Sequence, residues 1–430
     1  MTHRSASLPS YPAQRAVALR PRDQFAEVGR CRSTGRAIRL CYNTFGEAKQ
    51  PSVLLVMGLA SPGLFWDDRL CTALARSGPY HVIRFDNRDV GCSTHLDDCG
   101  SGEGATQTGP SSYLRYAYAV MRPGTRAIPE VYTLDDMAAD AFGLLDALRI
   151  RFAHLVGFSM GGMIVQCMAL THPERVLSLS LISTHSSSRR AQWPAARDMM
   201  GCISLMPKST SAKYAARIAQ AMSPEERQRL CAERDAERVD VYASSFAKLL
   251  EKVAGDQSKY PFDRAAAKRQ MVRIFKRSLY VNGGPRQFLA LLNAPSRDDA
   301  LRQRITSVPI LHGQPEGGGG QRPETTTSAA VKRCYVPTVI IQGDSDPLVP
   351  PSNARHLASV LPGSRLYVVE GMGHALVPSL RETYVRIIGD NVRAGEAVAL
   401  SPERRSRLPT GAAEAAGSSV KQRVPAASRL

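Results

Sequence analysis

A serine lies in a G-x-S-x-G pattern, Gly157-Phe158-Ser159-Met160-Gly161, between an apolar stretch and a segment with helical spacing. A serine on a sharp turn from strand to helix exposes its hydroxyl, and small flanking residues let the neighbouring backbone pass close by. The start of the following helix also supplies positive potential for a forming oxyanion. We therefore predict that Ser159 is the nucleophile of an acyl-transfer reaction.

The serine needs a base, and His374 is the histidine whose position suits that role best. It lies in Gly371-Met372-Gly373-His374, directly after a predicted strand. An imidazole in such a loop can reach across the top of a sheet and take the proton of a serine hydroxyl. His81 and His154 lie at or within predicted strands, and His172 precedes a proline at a helix end, so we interpret these three as structural.

The imidazole needs a carboxylate that fixes its tautomer and stabilises its charged form. We favour Asp346, because the turn after Gly343 gives its side chain room to point inward. Asp344 is the near alternative and is expected to cap the turn or to face solvent. Glu316 would be the acid if residues 308–313, which resemble the predicted strand before Gly343, formed that strand instead.

The oxyanion of an acyl-transfer reaction needs backbone N–H donors, and two residues are predicted to supply them. Met160 follows the nucleophile directly, and Leu59 lies in the loop after the predicted strand that ends at Met57. Gly58 allows the backbone of that loop to turn tightly. Loss of one such donor typically raises the barrier by about 3 kcal/mol. The sequence contains no pattern that indicates a metal ion or an organic cofactor.

The elements that must position these groups alternate between strand and helix. Two extended segments within residues 24–45 predict a leading hairpin. Continuous apolar runs are typical of strands that are covered on both faces, as in a parallel sheet. They occur at residues 52–57, 81–85, 153–156, 177–182, 338–341 and 365–369. The sequence therefore predicts an α/β fold with a mainly parallel sheet.

The predicted core is interrupted by an insertion after the sixth strand. The core comprises residues 24–183 and 336–392, and residues 184–306 are expected to form a helical lid with helices at 223–238 and 244–253. Side chains within the lid either line an apolar substrate site or form ordinary lid core; they are Trp193, Met199, Met200 and Met206.

Three further segments have compositions unlike that of a packed core. Residues 307–335 include the run Gly317-Gly318-Gly319-Gly320 and are expected to form a flexible loop. Residues 1–23 and 393–430 are expected to be disordered tails. The segment at 97–129 is rich in glycine and serine and includes a possible helix.

The overall composition excludes some functions. The net charge is +18, from 56 Lys+Arg against 38 Asp+Glu, but the positive charge is scattered and no base-reading module accompanies it, so we do not expect nucleic acid as a partner. No apolar run approaches the roughly 18 residues of a membrane-spanning helix. The nine cysteines are spread along the chain without a C-x-x-C pair, which favours reduced thiols in an intracellular compartment.

The termini bear on localisation. The last residues, Ser428-Arg429-Leu430, differ from the peroxisomal S-K-L signal by one like-charged exchange. A cytoplasmic or peroxisome-like location is therefore expected. The first 22 residues are rich in arginine, as in a mitochondrial presequence, but their prolines and lack of amphipathic period argue against that interpretation.

Several of these segments together resemble one family. The glycine-flanked Ser159, the run at residues 86–93, the Asp346-Pro347 turn and the Gly373-His374 pair are similar to the α/β-hydrolase superfamily, over about residues 24–392. The chain order Ser, Asp, His is also the order of that family. The segments that most resemble small-molecule esterases of the aclacinomycin methylesterase type, and more distantly proline iminopeptidases, are residues 57–60, 64–68, 84–88 and 371–376.

The resemblance implies a helical lid over an α/β-hydrolase core and hydrolysis of a small-molecule carboxylic ester, with no metal or organic cofactor. Met57 and Leu59 depart from the pattern, because many members have a histidine and a small residue there. We predict a serine hydrolase that acts through an acyl-enzyme. An aminopeptidase or amidase is the alternative, with an amine anchor among the lid acids Asp235, Glu237 and Asp240. A catalytically idle ligand-binding protein is the other, against which the intact Ser159, Asp346 and His374 argue.

Overall fold

The computed structural model describes residues 22–96, 130–188, 190–192, 194–195, 198, 211–307 and 334–399. The proposed lid-lining residues Trp193, Met199, Met200 and Met206, the alternative acid Glu316 and the C-terminal Ser428-Arg429-Leu430 lie outside these ranges, as do residues 97–129. No helix within the described ranges is long and apolar enough to cross a membrane.

A central sheet of eight strands forms the core, in the order β1-β2-β4-β3-β5-β6-β9-β10. β1 pairs antiparallel with β2, and β2 pairs antiparallel with β4, whereas the remaining neighbours are parallel. The predicted leading hairpin and mainly parallel sheet are confirmed. The strands are β1 Gln24–Arg30, β2 Ala37–Phe45, β3 Ser52–Val56, β4 His81–Phe85, β5 Ala153–Phe158, β6 Val176–Ile182, β9 Thr338–Gly343 and β10 Arg365–Val369.

Helices cover both faces of this sheet, which is why β3, β4, β5, β6 and β9 are buried along their whole length. Apolar side chains of the sheet pack against one group of helices on each face. The helices of the core are α1 Asp68–Arg76, α2 Leu134–Ala147, α3 Met160–Thr171, α9 Pro351–Val360 and α10 Arg381–Ala399.

Five helices lie between β6 and β9 in the chain, and we call them the inserted helices: α4 Ser211–Ala219, α5 Pro224–Val253, α6 Arg264–Arg277, α7 Gly283–Leu292 and α8 Asp298–Arg304. The prediction of two separate helices at 223–238 and 244–253 is wrong, because α5 is continuous over 30 residues. Ser223 caps its N-terminus by accepting from the Glu226 N–H. No proline or glycine lies in the interval between the two predicted helices to break the helix.

Three predicted segment boundaries also need correction. Asp23, assigned to the N-terminal tail, is buried beside Arg277 and belongs to the folded part. Cys334–Tyr335, assigned to the flexible loop, form the short strand β8, which pairs in parallel with β7 at Ile305–Thr306. Helix α10 continues past Val392 to Ala399, because Glu396 hydrogen-bonds the buried His154 at 2.8 Å.

Candidate active site

Ser159 lies on the turn between β5 and α3, with φ 55° and ψ −122°. A non-glycine residue rarely adopts this conformation, and here the close packing of the flanking glycines maintains it. A Cβ added at Gly161 would lie 2.1 Å from the Val56 carbonyl oxygen, and one at Gly157 would lie 2.4 Å from the Gly161 carbonyl oxygen. Glycines on both sides of the serine are thus required by the approach of α3 to the strands.

His374 lies within hydrogen-bond distance of Ser159, with its Nε2 atom 3.0 Å from Ser159 Oγ. Its Nδ1 atom is 2.8 Å from Asp346 Oδ2. Because a carboxylate can only accept, Nδ1 carries the proton, and Nε2 is then free to accept the hydroxyl proton of the serine. The Phe158 ring lies 5.0 Å from the imidazole ring, between centroids.

Asp346 is buried and fully hydrogen-bonded, so its carboxylate is fixed in place. Oδ1 accepts from the Leu348 and Val349 N–H groups at 2.9 and 2.8 Å, and Oδ2 also accepts from Gln342 Nε2 at 3.2 Å. Asp344 is exposed and instead accepts from the Gly371 N–H at 2.7 Å. The structure therefore brings Ser159, His374 and Asp346 together and places Asp344 outside the group.

The histidine loop is held by the C-terminal end of α5, one of the inserted helices. The His374 N–H donates to the Val253 carbonyl at 2.6 Å, and the Gly373 N–H donates to the Ala254 carbonyl at 3.1 Å. A Cβ at Gly373 would lie 2.1 Å from the Val253 carbonyl oxygen. Sequence analysis missed these contacts, since residues more than a hundred positions apart leave no local pattern.

The two predicted oxyanion donors, Leu59 and Met160, both lie near Ser159. Met160 is the first residue of α3 and follows Ser159 directly. Leu59 follows Gly58, where an added Cβ would lie 3.1 Å from Ser159 Cβ and 3.6 Å from Ser159 Oγ. Among the residues that the structure describes, neither the Leu59 N–H nor the Met160 N–H has a hydrogen-bond partner.

Ser159 and His374 line a cavity of about 2370 Å³ between the sheet and the inserted helices. Typical small-molecule sites have volumes of roughly 300–1,000 Å³, so this one can hold a bulky ligand. Apolar side chains dominate the wall on both sides; they include Leu64, Phe65, Phe246, Leu249, Phe275 and Phe288. The cavity thus offers an apolar environment beside the serine.

His185 also lines this cavity, and sequence analysis did not single it out. Burial, the Arg297 guanidinium and the neighbouring His374 lower the pKa of His185 to about 4. Its Nδ1 accepts from the Ser187 N–H at 3.0 Å, which is compatible only with an unprotonated Nδ1. His185 is therefore a neutral side chain near neutral pH.

The acids considered as an amine anchor lie away from the cavity. Asp235, Glu237 and Asp240 do not line it, and their side chains contact Arg234, Tyr214 and Lys268. The carboxylates that do line it are engaged by other protein groups. Asp67 contacts Arg381, Asp68 contacts Arg84, Asp89 contacts Arg286, and Asp263 caps α6.

One group in the described part of the chain has metal-ligand spacing: the ligand atoms of Cys41, Asp86 and Cys92 lie within 4.8 Å of one another. The Arg277 guanidinium, however, donates to Asp86 Oδ2 at 2.7 Å and to Cys41 Sγ at 2.9 Å. The neighbouring Cys92 thiol, burial and Asp86 raise the pKa of Cys41, which keeps this thiol protonated. The arginine thus already supplies the positive charge that a cation would bring.

A mainly parallel sheet with a serine on the turn after its central strand defines a class of α/β enzymes with an exposed nucleophile. Residues 51–378 match the α/β-hydrolase fold family. The chain belongs to that family, as the sequence motifs predicted.

Several characterised proteins are similar over most of their length. Rhodomycin D methylesterase DnrP of Streptomyces peucetius is 27% identical over 363 residues, which cover 84% of this chain and 97% of the relative. Rhodomycin D methylesterase DauP of Streptomyces sp. (strain C5) is 27% identical over 351 residues, which cover 81% and 93%. A 3-oxoadipate enol-lactonase of Acinetobacter baylyi is 26% identical over 180 residues, which cover 42% and 54%.

Solved structures share the fold. A thermophilic esterase from Thermogutta terrifontis superposes with a TM-score of 0.50 at 20% identity, covering 86% of this chain and 99% of the esterase. The meta-cleavage product hydrolase CumD of Pseudomonas fluorescens IP01 superposes with a TM-score of 0.51 at 17% identity, covering 83% and 95%. The family and its esterase relatives confirm the predicted enzyme class, a carboxylic ester hydrolase.

Proposed function

We propose that the chain hydrolyses a small-molecule carboxylic ester through an acyl-enzyme formed on Ser159. The observation that carries this proposal is the continuous hydrogen-bonded series Ser159 Oγ, His374 Nε2, His374 Nδ1 and Asp346 Oδ2, with distances of 3.0 and 2.8 Å, at the wall of an apolar cavity.

In the first step His374 Nε2 takes the hydroxyl proton while Ser159 Oγ attacks the ester carbonyl carbon. The carbonyl oxygen becomes an oxyanion, and the Leu59 and Met160 N–H groups donate to it. His374 then passes its proton to the departing alkoxide, which leaves as an alcohol. Asp346 stabilises the transient imidazolium through its hydrogen bond to Nδ1.

In the second step water replaces the alcohol. His374 takes a proton from the water as its oxygen attacks the acyl carbon, and the second oxyanion collapses with release of Ser159 Oγ. The same proton then returns to the serine, and a carboxylic acid leaves. No group beyond the side chains and the two backbone donors takes part in these steps.

The cavity supports an ester with a bulky apolar portion. About 2370 Å³ exceeds what a short-chain ester needs, and phenylalanine and leucine side chains dominate the wall. The two relatives named rhodomycin D methylesterase support a methyl ester as the bond cleaved. We therefore propose a methyl or other short alkyl ester of a bulky apolar acid as the substrate.

An amidase acting on a free amine is less well supported, because each carboxylate that lines the cavity contacts another protein group, as described above. A direct comparison tests this. Purified protein should hydrolyse methyl esters of bulky apolar acids well above the rate for a prolyl amide, and Ser159→Ala should lower ester turnover by at least about a thousandfold. Faster cleavage of the amide would contradict the proposed substrate class, and full ester turnover by Ser159→Ala would contradict the nucleophile.

A further inference from the structure

The loop that carries Leu59 is fixed on both sides of the Gly58–Leu59 peptide. On the N-terminal side Asn87 Nδ2 donates to the Met57 carbonyl at 3.0 Å. On the C-terminal side the Ala60 N–H donates to Gln287 Oε1 at 2.8 Å. The peptide whose N–H faces the oxyanion in the proposed function thus lies between two peptides that side-chain amides hold.

Ala60 has a left-handed backbone conformation, with φ 53°. A residue with a Cβ adopts this region at a conformational cost and keeps it only where the surroundings impose it. The Ser61 hydroxyl donates to the Leu59 carbonyl at 3.1 Å, but this contact lies within the loop itself. The contact from Gln287 comes from outside the loop and restrains it against the rest of the protein.

Gln287 belongs to α7, one of the inserted helices, and is fully buried. Its Nε2 donates to the Arg88 carbonyl at 2.7 Å while its Oε1 accepts from Ala60. The reversed amide would set oxygen against oxygen and N–H against N–H, so only this orientation satisfies both contacts. Gln287 therefore has one position, and that position determines where the Ala60 N–H can lie.

Helix α7 is itself docked closely on the core beside this contact. Arg286 forms two hydrogen bonds with the buried Asp89, at 2.7 and 2.9 Å. A Cβ at Gly283 would lie 1.9 Å from the Asp89 carbonyl oxygen, so the helix could not approach as closely with a larger residue. The location of Gln287 is thus set by the docking of the inserted helices.

We propose that Gln287 is a positioning residue that holds the Leu59 N–H in place for the oxyanion, so that catalysis depends on the docking of α7. This inference rests on the proposed function. Gln287 touches neither the serine nor the histidine and acts through the loop alone. The oxyanion hole is accordingly completed by a residue of the insertion, and not by the α/β core alone.

The test replaces Gln287 by methionine, which keeps the size of the side chain and removes both hydrogen bonds. With a methyl ester of a bulky apolar acid, kcat should fall by about 10- to 100-fold while KM stays within about threefold, because the oxyanion forms only after substrate binding. The affinity for a boronic acid, which forms a tetrahedral adduct with a serine, should fall by a similar factor.

Asn391→Leu is the matched control. Asn391 is also a fully buried amide, on α10, and donates to the Leu179 carbonyl and to the Ser180 hydroxyl on the opposite side of the molecule from the loop. Its loss should lower the melting temperature comparably and leave kcat and boronic acid affinity within about twofold of the parent values.

Unchanged kcat and boronic acid affinity in Gln287→Met would overturn the inference, and so would an equal fall of kcat in both variants. If Gln287→Met does not fold, Gln287→Asn is measured in its place. Its amide is withdrawn by one methylene, so kcat should still fall, and a parent-like kcat would refute the role. Ser159→Ala assayed in parallel separates the two proposals, because its retained activity would refute the proposed function itself.

Discussion

At the scale of single residues, the site depends on two protonation states that the surroundings fix in different ways. Asp346 holds the Nδ1 proton of His374, which leaves Nε2 facing Ser159 Oγ. His185, nearby in the same cavity, is kept neutral by burial, by Arg297 and by His374. A neutral His185 adds no positive charge that would oppose protonation of His374 during the reaction.

The low pKa of His185 has a consequence for stability. Burial first, then Arg297 and His374, lower this pKa from 6.5 to about 4 in the folded chain. Between these values the unfolded chain binds a proton that the folded chain does not, so the free energy of unfolding should decrease as pH falls from 6.5 towards 4. The decrease should reach about 3 kcal/mol at most.

Urea unfolding at about pH 7 and about pH 5 measures this dependence, with His185→Gln as the comparison. Glutamine offers an acceptor but does not titrate, so the variant should lose part of the slope. An equal slope in both proteins would show that His185 does not contribute to it.

The residues of the relay were predictable because each follows a strand and carries a local signature. The glycines around Ser159 and the loop before His374 are visible in any reading of the chain. The choice of Asp346 over Asp344 depended on which side chain points inward from one turn. The contacts from Val253 and Gln287 were not predictable, because they join positions that are distant in sequence and have no motif of their own.

At the scale of elements, the turn between β5 and α3 is the feature that exposes the serine. The helix can begin so close to the strands only because Gly157 and Gly161 lack a Cβ. Element types were predicted well where apolar runs or caps marked them. The continuity of α5 was not, because its mixed charged and apolar sequence gives no strong period in the middle.

Gly161→Ala tests this packing. Its Cβ would lie 2.1 Å from the Val56 carbonyl oxygen, a backbone atom that cannot move without shifting β3. We expect a loss of more than about 3 kcal/mol in the free energy of unfolding, or no folded protein.

The control is Gly389→Ala in α10, where the nearest atom to the new Cβ is the Ser77 hydroxyl oxygen at 3.3 Å. Alanine favours the helix there, so stability should change by less than about 1 kcal/mol. Chemical denaturation of both variants gives the comparison. A Gly161→Ala protein as stable as Gly389→Ala would contradict the proposed role of close packing.

At the scale of the whole molecule, buried ion pairs join the inserted helices to the core. Arg277 of α6 reaches Asp23 at 2.9 Å and Asp86 at 2.7 Å, and all three side chains are at most 3% exposed. Arg286 of α7 pairs in the same way with Asp89. The sequence predicted the inserted helices from the change in composition, but not which of its many arginines are buried.

Arg277→Met should therefore be strongly destabilising. It leaves two buried carboxylates without their cation, a change that typically costs about 3–5 kcal/mol. Arg302→Met is the control, because Arg302 and Asp299 form an exposed pair three residues apart in α8. That variant should stay within about 0.5 kcal/mol of the parent. Equal unfolding free energies of the two variants would argue against anchoring by Arg277.

The most direct test of the central claim is covalent labelling with a fluorophosphonate, followed by mass spectrometry of the peptides. The account predicts one labelled residue, Ser159, with the reaction strongly slowed in His374→Ala and abolished in Ser159→Ala. Labelling of another residue, or ester hydrolysis by protein in which Ser159 stays unlabelled, would contradict it.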